Sequence, residues 1–150
     1  MRAATLLAGL WAGVMAGLAA IAAPAAFALL DRAVAGQLAG RLFAVEAYAS
    51  LVVALLLFLL LRGPTRAEAA RGEASVLSAE MLCILGALFC TVAGYFALQP
   101  MMAAARAGEG ALSFGALHGL STAFYVAKSL MVFVLLWRLT GRLHRTGRAA

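Results

Sequence analysis

Between Leu112 and Leu139 the chain places His118, Ser121, Tyr125 and Lys128 at spacings of three and four residues. On a helix of 3.6 residues per turn they share one face, with Thr122 and Ser129 beside them. An imidazole, hydroxyls and an ammonium in one row can satisfy one another as polar glue inside a bundle, or serve as contacts for a proton, an ion or a substrate. Glu46 stands about one turn inside another apolar segment and enters from the same membrane side as His118, so a pair between those two is geometrically open. Lys128 lies roughly 14 Å along the helix from Trp137, close to the middle of a ~30 Å hydrocarbon core. Its ammonium leans toward its own N-terminus, where Tyr125, Glu46 and His118 are available. Counted from the apolar segment boundaries, Glu46 and Lys128 differ in depth by roughly 8 to 9 Å, which leaves room for a water or Tyr125 between them.

A transition-metal site asks for three or four nitrogen, sulfur or oxygen ligands, and His118 is the one histidine inside an apolar segment. Met81, Met101, Met102, Cys83 and Cys90 do not form a compact ligand spacing with it, so haem or copper through His118 is the weaker alternative and no cofactor is expected. Cys83 and Cys90 are separated by two helical turns, about 10 Å, too far for a disulfide, and read as buried small hydrophobes. No nucleophile motif, Walker loop, dinucleotide fingerprint or pair of catalytic carboxylates is visible. Enzyme activity therefore has no support, and no residue is assigned a catalytic, cofactor-binding or metal role.

The elements that must position this row follow from composition. A chain of 150 residues with 65% hydrophobic and 12% charged residues lies far from soluble domains, which are about 25% charged. With a mean hydropathy of +1.00, it reads as a membrane protein. The formal charge of +6 does not indicate nucleic acid, because the arginines cluster after an apolar segment and no basic, aromatic-interleaved surface remains. Four spans are expected, at about 6–30, 42–61, 77–98 and 112–137, forming an all-α integral membrane four-helix bundle with a tail over 138–150. An amphipathic surface helix with Val34, Leu38 and Leu42 on one face leads into the second span. Thr65 and Glu68 match a capping box, and Gly72 a stop, for a short surface helix after it. Ser78 and Glu80 suit the start of the third helix, which closes at Gln99-Pro100. The first segment is too long for a signal-peptide core and is expected to be retained.

Small residues recur every fourth position: Gly9, Gly13 and Gly17 in the first span, Gly86, Cys90 and Gly94 in the third, Gly115 and Gly119 in the fourth. Such ladders let helices approach closely, within the chain or between copies. Arg2, Arg62, Arg66, Arg71, Arg138, Arg142, Arg145 and Arg148 flank one side of the spans, against Arg32, Arg41 and Arg106 on the other, which places both termini in the cytoplasm. The two halves, each an ascending ladder helix ending near a proline and a descending helix with an early ionisable residue, suggest a parallel repeat.

The stretches WAGVMAGLAAIAAPAAFALL, GRLFAVEAY and above all SFGALHGLSTAFYVAKSL, with Phe114, Leu117, His118, Gly119 and Ser121, resemble the transmembrane protein 205-like family over almost the whole chain. A more distant similarity is to copper-resistance D-like and haem-linked membrane proteins. The resemblance implies a four-helix membrane protein without an assigned activity. The function expected is a packing or partner-binding component of a cell membrane, the expected site being the bacterial inner membrane, in contact with the lipid bilayer and with a second copy or another membrane protein. A small transporter or channel component using His118, Glu46 and Lys128 is the alternative.

Overall fold

The computed structural model describes residues 1–72, 75 and 77–148, the side chains of 145–148 excepted. Arg145 and Arg148, counted above in the basic C-terminal flank, therefore have side chains outside the described residues, as do residues 149 and 150. Among the described residues, four helices are long and apolar enough to cross a membrane: α1 (Arg2–Leu29), α2 (Arg32–Ala70), α3 (Ala79–Arg106) and α4 (Phe114–Arg148). They form two antiparallel hairpins, α1–α2 and α3–α4. In the bundle α1 and α3 each pack beside both α2 and α4, so α2 and α4 face each other across the diagonal.

The helices run past the expected spans. Hydropathy marks the apolar part of a helix, whereas hydrogen bonding carries the helix on into polar sequence. The stretch expected as a separate surface helix is the first third of α2, and its buried residues are Ala35 and Ala39, while Val34 and Leu38 point outward. The capping box at Thr65 is likewise not a start. α2 continues through Pro64 to Ala70, because Leu61 and Thr65 are buried and Glu68 is tied to α4, contacts that offset a proline penalty of about 3 kcal/mol. Gly72 does end it, with φ +73. Ser78 caps α3 by accepting from the Met81 N–H at 3.4 Å, yet the helix passes Pro100 and stops at Arg106.

Each proline of the two ascending helices follows a π-helical stretch, Leu18–Ala22 before Pro24 and Val92–Ala97 before Pro100. A proline lacks the N–H of the regular ladder and crowds the carbonyl one turn back, and a widened turn relieves both.

The core lies toward the end that carries the termini: Ala8, Trp11, Met15, Leu57, Ile84, Val132, Leu135 and Leu139 are all buried there. Glu80, at the same end, receives Arg138 Nε at 3.0 Å and Arg142 Nε at 3.2 Å, and Arg142 also reaches Glu68 at 3.1 Å. The tail continues α4, with Leu139 in the core, Arg138 bonded to α3 and Arg142 bonded to α2 and α3. Toward the other end, Leu98, Met102 and Leu117 hold the α3–α4 hairpin together, but the two hairpins part.

The glycine ladders divide. A Cβ at Gly86 would stand 2.6 Å from Met131 Sδ, and one at Gly94 would meet the Cβ and ring of Phe124, so α3 approaches α4 through both. Gly9 has ordinary room beside Leu136 at 3.6 Å, and Gly13, Gly17, Gly115 and Gly119 have nothing within 4 Å. Within this chain α1 packs through the neighbouring row of Ala4, Ala8, Trp11, Ala12 and Met15.

This predicts that Gly94→Leu lowers the midpoint of detergent-induced unfolding by the equivalent of about 1 to 3 kcal/mol, the usual range for overpacking. Gly13→Leu is expected to unfold like the parent. A loss at Gly13 equal to that at Gly94 would place a neighbouring helix on that open face.

Candidate functional site

The polar row of α4 touches a different helix at each turn. Ser121 Oγ donates to the Gly94 carbonyl of α3 at 2.7 Å, within the π-helical stretch. Tyr125 Oη donates to the Met15 carbonyl of α1 at 2.9 Å. Lys128 Nζ donates to Glu46 of α2, at 2.9 Å to Oε1 and 2.8 Å to Oε2. Thr122 and Ser129 turn back onto their own helix, at the carbonyls of His118 and Tyr125.

The Lys128–Glu46 pair crosses the bundle diagonal, and both side chains are only 4% exposed. The depth difference counted from the apolar boundaries is absent. Glu46 lies 14 residues after Arg32, where α2 starts, and Lys128 lies 14 residues after Phe114, where α4 starts, so the two stand level on parallel helices. No water or Tyr125 is needed between them. Ser50, one turn below Glu46, donates to its Oε1 and accepts from Trp11 Nε1 of α1 at 2.9 Å. Lys128 Nζ also reaches Ser50 Oγ at 3.4 Å and sits 5.1 Å from the centre of the Tyr125 ring. Among the described residues no buried side-chain nitrogen or oxygen lacks a partner.

Ser50 and Trp11 are missing from the sequence-derived set. Ser50 is four residues from Glu46, the spacing of a shared helix face, and a tryptophan inside an apolar span needs an acceptor for its N–H. His118, in contrast, stands apart from the pair. It is exposed and stacked on Phe114, with ring centres 5.8 Å apart. Among the described residues no three His, Cys, Asp or Glu side chains converge as metal ligands. Both cysteines are free thiols.

Above the pair the hairpins enclose a cleft of about 970 Å³ whose lining includes Glu46, Lys128, Tyr125 and Ser121 at depth and Arg32, Arg106 and His118 toward the hairpin turns. It narrows where Phe43 meets Tyr125 edge to face, ring centres 5.2 Å apart. Its walls are mostly aromatic rings, alanines and glycines. The geometry is that of a pocket with a neutralised polar floor.

The family described as a domain of unknown function, DUF4149, matches residues 6–111. Comparison with curated proteins and with solved structures gives no match.

Removing one member of the buried pair should be far worse than removing both. Lys128→Met is expected to lower unfolding stability by about 3 to 5 kcal/mol, because it leaves the Glu46 carboxylate buried without its cation. Adding Glu46→Gln should restore most of that loss. The unfolding midpoints of the single and double variants decide it, and equal losses in both would mean that the pair is not coupled.

Proposed function

This chain belongs to the DUF4149 family, and from that premise we propose that it is a multi-pass membrane protein that binds a guest between its two hairpins rather than transforming a substrate. The observation that supports this most directly is the cleft of about 970 Å³ ending on the Lys128–Glu46 pair, within the 300–1,000 Å³ range of small-molecule sites. Glu46, Ser121, Tyr125 and Lys128 then act as the tie that holds the cleft at a fixed width, and His118 belongs to its mouth. The resemblance to the transmembrane protein 205-like family, stated above on residues of α1, α2 and α4, implies a four-helix membrane protein and no particular activity.

The arginine distribution supports termini on the cytoplasmic side of a cell membrane, the bacterial inner membrane in our reading, with the mouth of the cleft on the opposite side. The row of Gly13 and Gly17, with open space where a Cβ would stand, is available to a second copy or another membrane protein. A small transporter is the second reading, favoured by one observation: both charges of the pair line the cleft, so a guest could reach them.

Gly40 lines the cleft and has nothing within 4 Å of an added Cβ, so a cysteine fits there without disturbing the fold. With Cys83→Ala and Cys90→Ala as background, Gly40→Cys should react with a membrane-impermeant maleimide in intact spheroplasts. Leu55→Cys, on the exposed apolar side of α2, should not. Reaction only in inverted vesicles would reverse the orientation, and no reaction from either side or in delipidated protein in detergent would remove the binding cleft.

A further inference from the structure

Resting on the cleft as a binding site, we infer that its guest is an anionic phospholipid, the phosphate held by Arg32 and Arg106 and an acyl chain running down toward Tyr125. The lining carries three cations, Arg32, Arg106 and Lys128, against the one carboxylate of Glu46. Lys128 is consumed by that carboxylate. Arg32 and Arg106, the first residue of α2 and the last of α3, have no carboxylate within ion-pair distance among the described residues. Arg106 lies over the Phe114 ring at 4.5 Å, which holds its stem against the wall while its guanidinium keeps donors for a phosphate.

Below the arginines the lining includes the amides of Gln37 and Gln99 and the Tyr95 hydroxyl, and its remaining hydroxyls are occupied. Ser121, Thr122 and Thr91 have spent their hydroxyl protons on backbone carbonyls, and Phe27, Phe43 and Val126 stand among alanines and glycines. A free inorganic anion at the mouth would leave this apolar depth unfilled. From Arg32 to Glu46 the cleft descends roughly 21 Å along α2, more than half of a ~30 Å hydrocarbon core, and so accommodates the chain of one leaflet. A partner helix, about 10 to 12 Å wide with its side chains, does not pass the Phe43–Tyr125 narrowing, whereas a single flexible chain reaches it. The side is open to lipid as well: α1 packs on α4 through Arg2–Gly17, and beyond it Leu18–Leu29 rests on α2.

The test uses the purified full chain in dodecyl maltoside, with thermal unfolding followed against added phosphatidylglycerol, phosphatidylcholine of the same acyl chains, or inorganic phosphate. Phosphatidylglycerol should stabilise with an apparent affinity about tenfold above phosphatidylcholine, whose quaternary ammonium opposes the two arginines although its phosphate is the same, and inorganic phosphate should give no shift. Arg32→Gln with Arg106→Gln should bring the two lipids to within about twofold, and Gly40→Trp should weaken both alike. Both arginines are on the periphery, and the Arg32→Lys, Arg106→Lys chain, which keeps the charges, should retain the preference even if the glutamine form folds poorly. Equal affinities in the parent, an equal shift with inorganic phosphate, or a preference that survives the glutamine changes would each overturn the assignment. A Gly40→Cys that reacts while the lipids are indistinguishable removes the phospholipid alone; a Gly40→Cys that fails to react even in delipidated protein removes the cleft with it.

Discussion

A lysine and a glutamate inside an apolar bundle permit few arrangements. Each charge alone at the centre of a span costs about 2.5 to 3.5 kcal/mol on insertion scales, so the two are stable only where each neutralises the other. They stand on α2 and α4, the helices that face each other across the diagonal, and therefore set the height of one hairpin against the other. Sliding either hairpin by a single turn, about 5.4 Å, would separate them completely. Ser50 and Trp11 bring α1 into the same hydrogen-bonded set, while Ser121 and Tyr125 fix α4 against α3 and α1. Register, which apolar helices specify poorly, is thus set by a handful of polar contacts on one face of α4.

The pair also divides the molecule. On the side of the termini the inward residues are large, Trp11, Met15, Leu57, Ile84, Leu135 and Leu139, and they fill the space between helices, with the Glu80–Arg138–Arg142 cluster closing the end. On the other side they are small, Ala19, Ala23, Gly36 and Gly40 among them. Small residues draw helices together only when the backbones are free to approach. Here two prolines with widened turns redirect the ascending helices, and each hairpin is held by its own contacts, so the same small residues leave a cleft.

What was legible in the sequence follows from this physics. Four apolar helices and the polar face of α4 are local patterns, and periodicity shows them. The ladder of Gly86 and Gly94 marks a real close approach, whereas that of Gly13 and Gly17 does not within this chain, because spacing identifies a row of small residues and not the direction in which it faces. In α1 the row of Ala4, Ala8 and Ala12 satisfies the same rule. His118 shares a face with Lys128, but lies near three turns higher, where the hairpins have separated, and so is exposed. The depth of Glu46 was misjudged because it was counted from the edge of the apolar run at 42 instead of from the helix start at Arg32; polar residues within a helix hide its true end.

The stability of the pair bears on what the cleft can do. Ser50 and Trp11 complete the hydrogen bonding of Glu46, and the ammonium of Lys128 is met by both carboxylate oxygens, so the floor has no spare polar group to offer a guest. On the proposed reading, recognition falls to the walls and to Arg32 and Arg106 at the mouth. A transport cycle through this floor would have to part the two charges, at about 3 to 5 kcal/mol unless an incoming ion or water replaced the lost partner. A cleft that only holds its guest asks for no such step. The interaction that fixes the register of the hairpins therefore resists passage, and this supports the proposed binding role over a conducting one.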